Sequence, residues 1–283
     1  APVPPVDGAG KLGVQWAVVL EGQVSETLEQ PGADMLVAVQ CGGRHLIAAY
    51  ERITSAPPAQ MGVLHVHLLP ALNLVSGLPC DLEIEYRLAG EAEAAARSAT
   101  LPALGTTMVY DVATPGLVAF RARLRGGAWS AWAQAKVGSS SISSAGLSHG
   151  SVDAELDISG PETAKATLTL VVRGAGEVGL FCHTWLVDRT GWGVCARQAG
   201  ARLPEVDGVA LCPAGLDDYT LEAQGGVGPR FSIPAGVAEW VLVGLADGRT
   251  VCMRSRALPA AEVQRCAVRC LELVPRLVLH NAA

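Results

Sequence analysis

The chain has 283 residues, half of them hydrophobic, with 32 Gly, 17 Pro and a formal net charge of −6. Three lysines stand beside 18 arginines without a basic run, which disfavours nucleic-acid binding, since phosphate neutralisation supplies most of that affinity. No stretch approaches the unbroken apolar length of a membrane-spanning helix, and turn residues recur about every ten positions, the punctuation of an all-β chain.

Residues 1–12 read as an extended Pro/Gly-rich arm without a secretory leader. A strand is expected over Gly13–Leu20, with a turn at Glu21-Gly22. A second strand is expected over Met35–Cys41. Gly42-Gly43 then turns the chain into His45–Tyr50, because glycine accepts positive φ without a Cβ penalty. A unit this short rarely holds a core alone. It is therefore expected to anchor the chain by packing on the next domain, on a partner or on a sister subunit. Pro57-Pro58 ends it, since successive prolines cannot continue a ladder.

From Leu64 to Val137 the period is two. Leu64, Val66 and Leu68 alternate with His65 and His67, and Leu82, Ile84 and Tyr86 alternate with charged residues. Val118, Phe120, Ala122 and Leu124 oppose Arg121, Arg123 and Arg125, as a strand with one buried and one wet face requires. Gly126-Gly127 signals a hairpin. The return carries Trp129-Ser130-Ala131-Trp132, whose rings would not share a face in a regular strand. A bulge or polyproline-like twist would let both stack on the row of Arg121, Arg123 and Arg125, each exposed contact contributing about 0.5–1 kcal/mol. In order, LEIEYR (82–87), MVYDVATPG (108–116), VAFRARL (118–124) and WSAW (129–132) resemble the strands of a fibronectin type III domain over roughly residues 60–138. Leu68-Leu69 stands near the place of that family's core Trp, and Val118 in place of its corner Tyr.

Residues 139–150 read as a Ser/Gly linker. Beyond it, residues 151–283 are expected to form a C-terminal β-rich domain. Strands are expected over Val152–Ile158, Ala166–Val172 and Gly179–Val187, with an Asp247-Gly248 hairpin joining Glu239–Leu245 to Thr250–Met253. Pro259–Val274 changes period: Ala260, Val263, Cys266, Ala267, Cys270, Leu271 and Val274 recur at three and four, which predicts one short C-terminal helix. Arg276–His280 reads as a last strand.

Chemistry-bearing residues are sparse. His65-x-His67 has the pairing a zinc site uses but lacks a third ligand at a telling distance. Cys266-x3-Cys270, with Cys182, His183 and Cys195, lacks the close paired-Cys spacing of a metal knuckle. The eight cysteines are read as small buried thiols. Asp188, Asp217 and Asp218 read as solvated turn residues. No catalytic, metal or cofactor site is assigned. The candidate binding or interface residues are Trp129, Trp132, Arg121 and Arg123, with Trp185 and Trp192 as aromatic anchors or a sugar-stacking platform.

The fold expected is thus all-β: tandem β-sandwich modules, divided at 1–56, 57–138, 139–150 and 151–283, with one short C-terminal helix. The ending VAFRARLRGGAWSAWA is similar to that of fibronectin type III modules in tail-tip and host-specificity proteins of tailed bacteriophages. That resemblance implies a non-enzymatic virion protein of the tail tip, baseplate or fibre. It would assemble in the host cytoplasm as a homo-oligomer with other tail proteins and meet a host surface glycan or protein. Two alternatives are a secreted or cell-surface receptor-like binder with disulfides, and a carbohydrate-binding accessory module of a polysaccharide-acting enzyme.

Overall fold

A computed structural model of the chain describes residues 15–25, 28–29, 36–54, 62–138, 154–158, 165–173, 176–206, 208–212, 218–224, 226–233, 240–256 and 269–276. The expected arm at 1–12, the prolines 57–58, the linker at 139–150, Asp217, Cys266 and the expected strand beyond Arg276 lie outside the described residues.

At the N-terminal end, β1 (Gln15–Trp16), β2 (Val19–Leu20), β3 (Gln23–Val24) and β4 (Leu28–Glu29) form two small antiparallel pairs, β1 with β4 and β2 with β3. β5 (Leu36–Cys41), β6 (Arg44–Thr54) and β7 (Gly62–Pro70) make an antiparallel sheet in that order. Gly42 and Gly43, at φ 58° and 75°, make the turn between β5 and β6. Among the described residues, Val18, Val39, Cys41, Leu46 and Ala48 form the buried cluster of this unit, with Leu20 and Val37 packed on it. The unit leans on more distant parts of the chain. The His45 amide donates to the Tyr110 carbonyl at 2.6 Å, and the Ala71 amide to the His45 carbonyl at 3.2 Å. Ile47, on the opposite face, is buried beside Gly176.

Through Ala71 the chain passes into β8 (Leu72–Gly77), a strand of a different sheet. Then come β9 (Leu82–Leu88), β10 (Arg97–Leu101), β11 (Thr106–Val109), β12 (Gly116–Leu124), β13 (Ala133–Val137), β14 (Ala154–Ile158), β15 (Ala166–Arg173) and β16 (Glu177–Phe181). They pair into two sheets, β10-β9-β12-β13 and β11-β8-β16-β15-β14. Alternate residues from both fill one core: Leu82, Ile84, Phe120 and Ala122 from the first, Leu72, Leu74, Leu168 and Leu180 from the second. β8 and β16 run parallel, with Leu74 opposite Val178. That pairing joins strands on either side of residues 139–150 in one sheet. Gly176 makes it fit: at φ 79° it would carry a Cβ 2.5 Å from the Ala71 carbonyl oxygen.

The last ten strands are β17 (Thr184–Asp188), β18 (Cys195–Gln198), β19 (Ala201–Arg202), β20 (Glu205–Val206), β21 (Val209–Cys212), β22 (Tyr219–Ala223), β23 (Gly226–Val227), β24 (Val241–Gly244), β25 (Thr250–Arg256) and β26 (Arg269–Pro275). They form the sheets β20-β21-β17-β26-β25-β24 and β19-β18-β22-β23. The six-stranded sheet is covered on both faces. Leu186, Ala210, Val243, Val251, Met253, Leu271 and Leu273 face a second core with Val194, Ala196 and Tyr219. Trp185, Val187, Leu211 and Cys270 join the first core.

Two expectations are corrected. Tandem sandwiches ending in a helix are replaced by open sheets, and the described residues include no α-helix, only a 3-10 turn at Glu93–Ala95. Where the helix was expected, Arg269–Pro275 is β26, lying between β17 and β25 and parallel to β17. A strand buried on both faces is apolar almost continuously. Cys270, Leu271, Glu272 and Leu273 are all buried, so helical spacing can be picked out of such a run although the backbone is extended. The expected strand Gly179–Val187 is also two strands, β16 and β17, which enter different sheets at Cys182-His183.

Candidate functional site: an arginine–tryptophan ladder

β12 turns Val118, Phe120, Ala122 and Leu124 into the core, leaving Arg121 and Arg123 on the outer face. Register with β9 sets Arg121 opposite Glu85 and Arg123 opposite Glu83. Both pairs close: Arg121 Nη2 lies 2.6 Å from Glu85 Oε2, and Arg123 Nε 2.5 Å from Glu83 Oε2. Opposite charges facing each other across an antiparallel pair stabilise the register that sequence alternation sets up.

After the Gly126 turn the chain does not resume regular pairing until Ala133. In between, Ser130 is buried, and its amide donates to the Ala122 carbonyl at 2.9 Å. Its Oγ accepts from the Ala122 amide at 3.0 Å and donates to the Ala131 carbonyl at 2.9 Å. A side-chain oxygen thus does the work of a ladder carbonyl. The irregular backbone brings Trp129 and Trp132 to the same outer face despite their odd spacing. Five groups stack in order. The Arg123 guanidinium lies 4.3 Å from the Trp129 ring centre, Arg121 lies 5.2 Å from Trp129 and 4.6 Å from Trp132, and Arg87 lies 4.7 Å from Trp132.

The ladder is closed at its rim by the Glu93 carboxylate, which accepts from Arg121 Nη1 at 2.5 Å and Trp132 Nε1 at 3.3 Å. Arg87 Nη1 donates to the Glu91 carbonyl, while its buried Nε has no hydrogen-bond partner among the described residues. The Glu91 carboxylate is held below the usual range, first by its hydrogen bond from Arg97 and then by the Leu88 amide. Burial, followed by the charge of Asp111, raises the Tyr86 phenol, which donates to Asp111 Oδ1 at 3.1 Å. Three guanidiniums face three carboxylates, so the surface is nearly neutral although densely ionic. Beside it, over β9 and β10, a groove of about 260 Å³ is floored by Glu83, Glu85, Ser98 and Thr100 and walled by Arg123 and Trp129.

Of the residues singled out from sequence, Trp129, Trp132, Arg121 and Arg123 come together here. Trp185 and Trp192 do not meet as a platform. Trp185 is 2% exposed in the first core, its indole N–H unpartnered among the described residues. Trp192 packs on the second core with the Arg249 guanidinium 4.4 Å from its ring centre. The sequence reading missed Glu83, Glu85, Glu93 and Arg87. The first two were visible as an acidic row alternating with Leu82 and Ile84, of the sign needed opposite an arginine row. It also missed Trp240, 60% exposed on the edge of the six-stranded sheet with the Arg254 guanidinium 5.5 Å from its ring centre.

The remaining candidates are structural. Asp188 organises its turn, accepting from the Thr190 amide (2.8 Å) and hydroxyl (2.6 Å) and from the Val194 amide (2.9 Å). Asp218, at φ 65°, pairs with Arg230 at 3.1 Å. The Cys182 thiol donates to the Cys212 carbonyl at 3.2 Å, and burial pushes it up to about 11. Cys195 accepts from Arg202 Nη2 at 2.8 Å. Among the described residues, no three His, Cys, Asp or Glu side chains converge on a point that could hold a metal. No protein-family model matches the chain, and neither does any curated protein.

Proposed function

We propose that the chain is a non-enzymatic structural protein of a tailed-bacteriophage virion, built into the tail tip, baseplate or fibre and acting through surfaces. The observation that carries this reading is the ladder. Four cation–π contacts and three ion pairs rigidify the outer face of one sheet without leaving a reactive group in the middle of it. That is the chemistry of a durable contact surface. The WSAW ending that supplies the rings is also the segment resembling phage tail-tip modules. The N-terminal unit adds support, since the buried cluster of its described residues, Val18, Val39, Cys41, Leu46 and Ala48, is too small to hold it alone. It would seat the protein among other tail proteins, as a homo-oligomer, with the opposite end free to meet the host surface. Antibody labelling of the source particle in the electron microscope tests the assignment: label on the tail is expected, and purified particles without label would overturn it.

The ladder itself also favours a second reading, a receptor-like binder exposed outside the cell, in which WSAWA plays the part of a cytokine-receptor-like element. Thiol titration under denaturation separates the two. The virion reading expects eight reactive thiols, whereas the receptor reading expects bridges.

A further inference from the structure

We infer that the groove over β9 and β10 is a saccharide subsite that takes one neutral pyranose ring. Its floor is two cross-strand pairs, Thr100 with Glu83 and Ser98 with Glu85, flanked by Arg123. The pairs are two residues apart along each strand, about 6.8 Å, so their polar atoms can meet hydroxyls on opposite sides of one ring. Each carboxylate spends Oε2 on its arginine. Glu83 and Glu85 line the groove beside the exposed side chains of Ser98 and Thr100. Two anionic acceptors and two hydroxyls that both donate and accept match the vicinal hydroxyls of a sugar. Trp129, whose ring is stacked between Arg121 and Arg123, closes one side of the groove.

The electrostatics select against other ligands. Arg121 and Arg123 neutralise Glu85 and Glu83 in place, so a free anion meets carboxylates and a free cation meets guanidiniums. An apolar ligand would strand four polar groups. At about 260 Å³ the space falls just below the usual range of ligand cavities, roughly 300–1,000 Å³, which suits one ring rather than a buried chain. The inference stands on the groove alone and does not rest on the virion assignment.

Saturation-transfer NMR on the full chain, with the methyl pyranosides of glucose, galactose, mannose and N-acetylglucosamine, tests it. At least one pyranoside is expected to receive saturation and to shift the Trp129 indole resonance. Thr100→Trp, which fills the groove from an exposed edge position, should abolish the transfer. Thr100→Val, which removes only a hydroxyl, should weaken binding roughly five- to tenfold. Transfer to none of the four, transfer that survives Thr100→Trp, or transfer lost instead in Trp240→Ala would overturn it.

Discussion

Arg121 occupies the middle of the ladder, between two indoles and against two carboxylates, whereas Arg123 has one indole and one carboxylate. The pair Arg121–Glu85 is the more sheltered, 20% and 19% exposed against 33% and 33% for Arg123–Glu83. Screening therefore weakens it less. Arg121→Ala is expected to cost about 1.5–3 kcal/mol, from two stacking contacts and the ion pairs, with the lost stem adding to it. Arg123→Ala should cost about 1 kcal/mol. Urea unfolding of both variants checks the order, and a smaller loss for Arg121→Ala would remove its central role. This part of the site was legible because tryptophan, arginine and a two-residue period all appear in one short stretch. Glu93 was not, because its reach depends on a 3-10 turn nearly forty residues from Trp132. Trp185 was misread for a related reason. Proximity to a turn says nothing about which face of a strand another sheet will cover.

At the scale of elements, the hairpin β12–β13 depends on one departure from regularity. If Trp129–Trp132 were ordinary strand, one ring would point into the core. Ser130 prevents that by filling the place of a ladder carbonyl for the Ala122 amide. Ser130→Ala leaves that buried amide without the side-chain acceptor, and is expected to cost about 1–3 kcal/mol. It should also flatten the near-ultraviolet circular dichroism of the tryptophans, since the rings lose their fixed stack. A variant with wild-type urea midpoint and wild-type spectrum would show that the stack holds the serine, and not the reverse. Elements with one wet face, such as β9 and β12, announced themselves by alternation. β26 did not, because a strand with both faces buried has no wet side to set the period. The break between β16 and β17 was hidden for the same reason, as Val178 to Val187 are buried at all positions but one.

For the whole molecule, what matters is which strands complete which sheet. A self-contained module at 57–138 would supply both of its sheets. Here that segment supplies β9, β10, β12 and β13 for one sheet but only β8 and β11 for the other, and β14, β15 and β16 fill the rest. Leu82, Ile84 and Phe120 share their core with Leu156, Leu168 and Leu180. A fragment of residues 57–138 should therefore expose much of that core and leave the inner edge of β8 unpaired, which invites aggregation. Its amide spectrum in solution NMR is expected to be collapsed or broadened. A fragment of residues 1–183 restores β16 beside β8, along with the Gly176 contact to Ala71, and should give dispersed amides. A folded, cooperative 57–138 fragment would mean that the parallel pairing of β8 with β16 is an accessory to a finished sandwich. If instead only the longer fragment folds, the sheet is completed from beyond residue 150, and the chain folds by closing a long-range contact that no local pattern encodes.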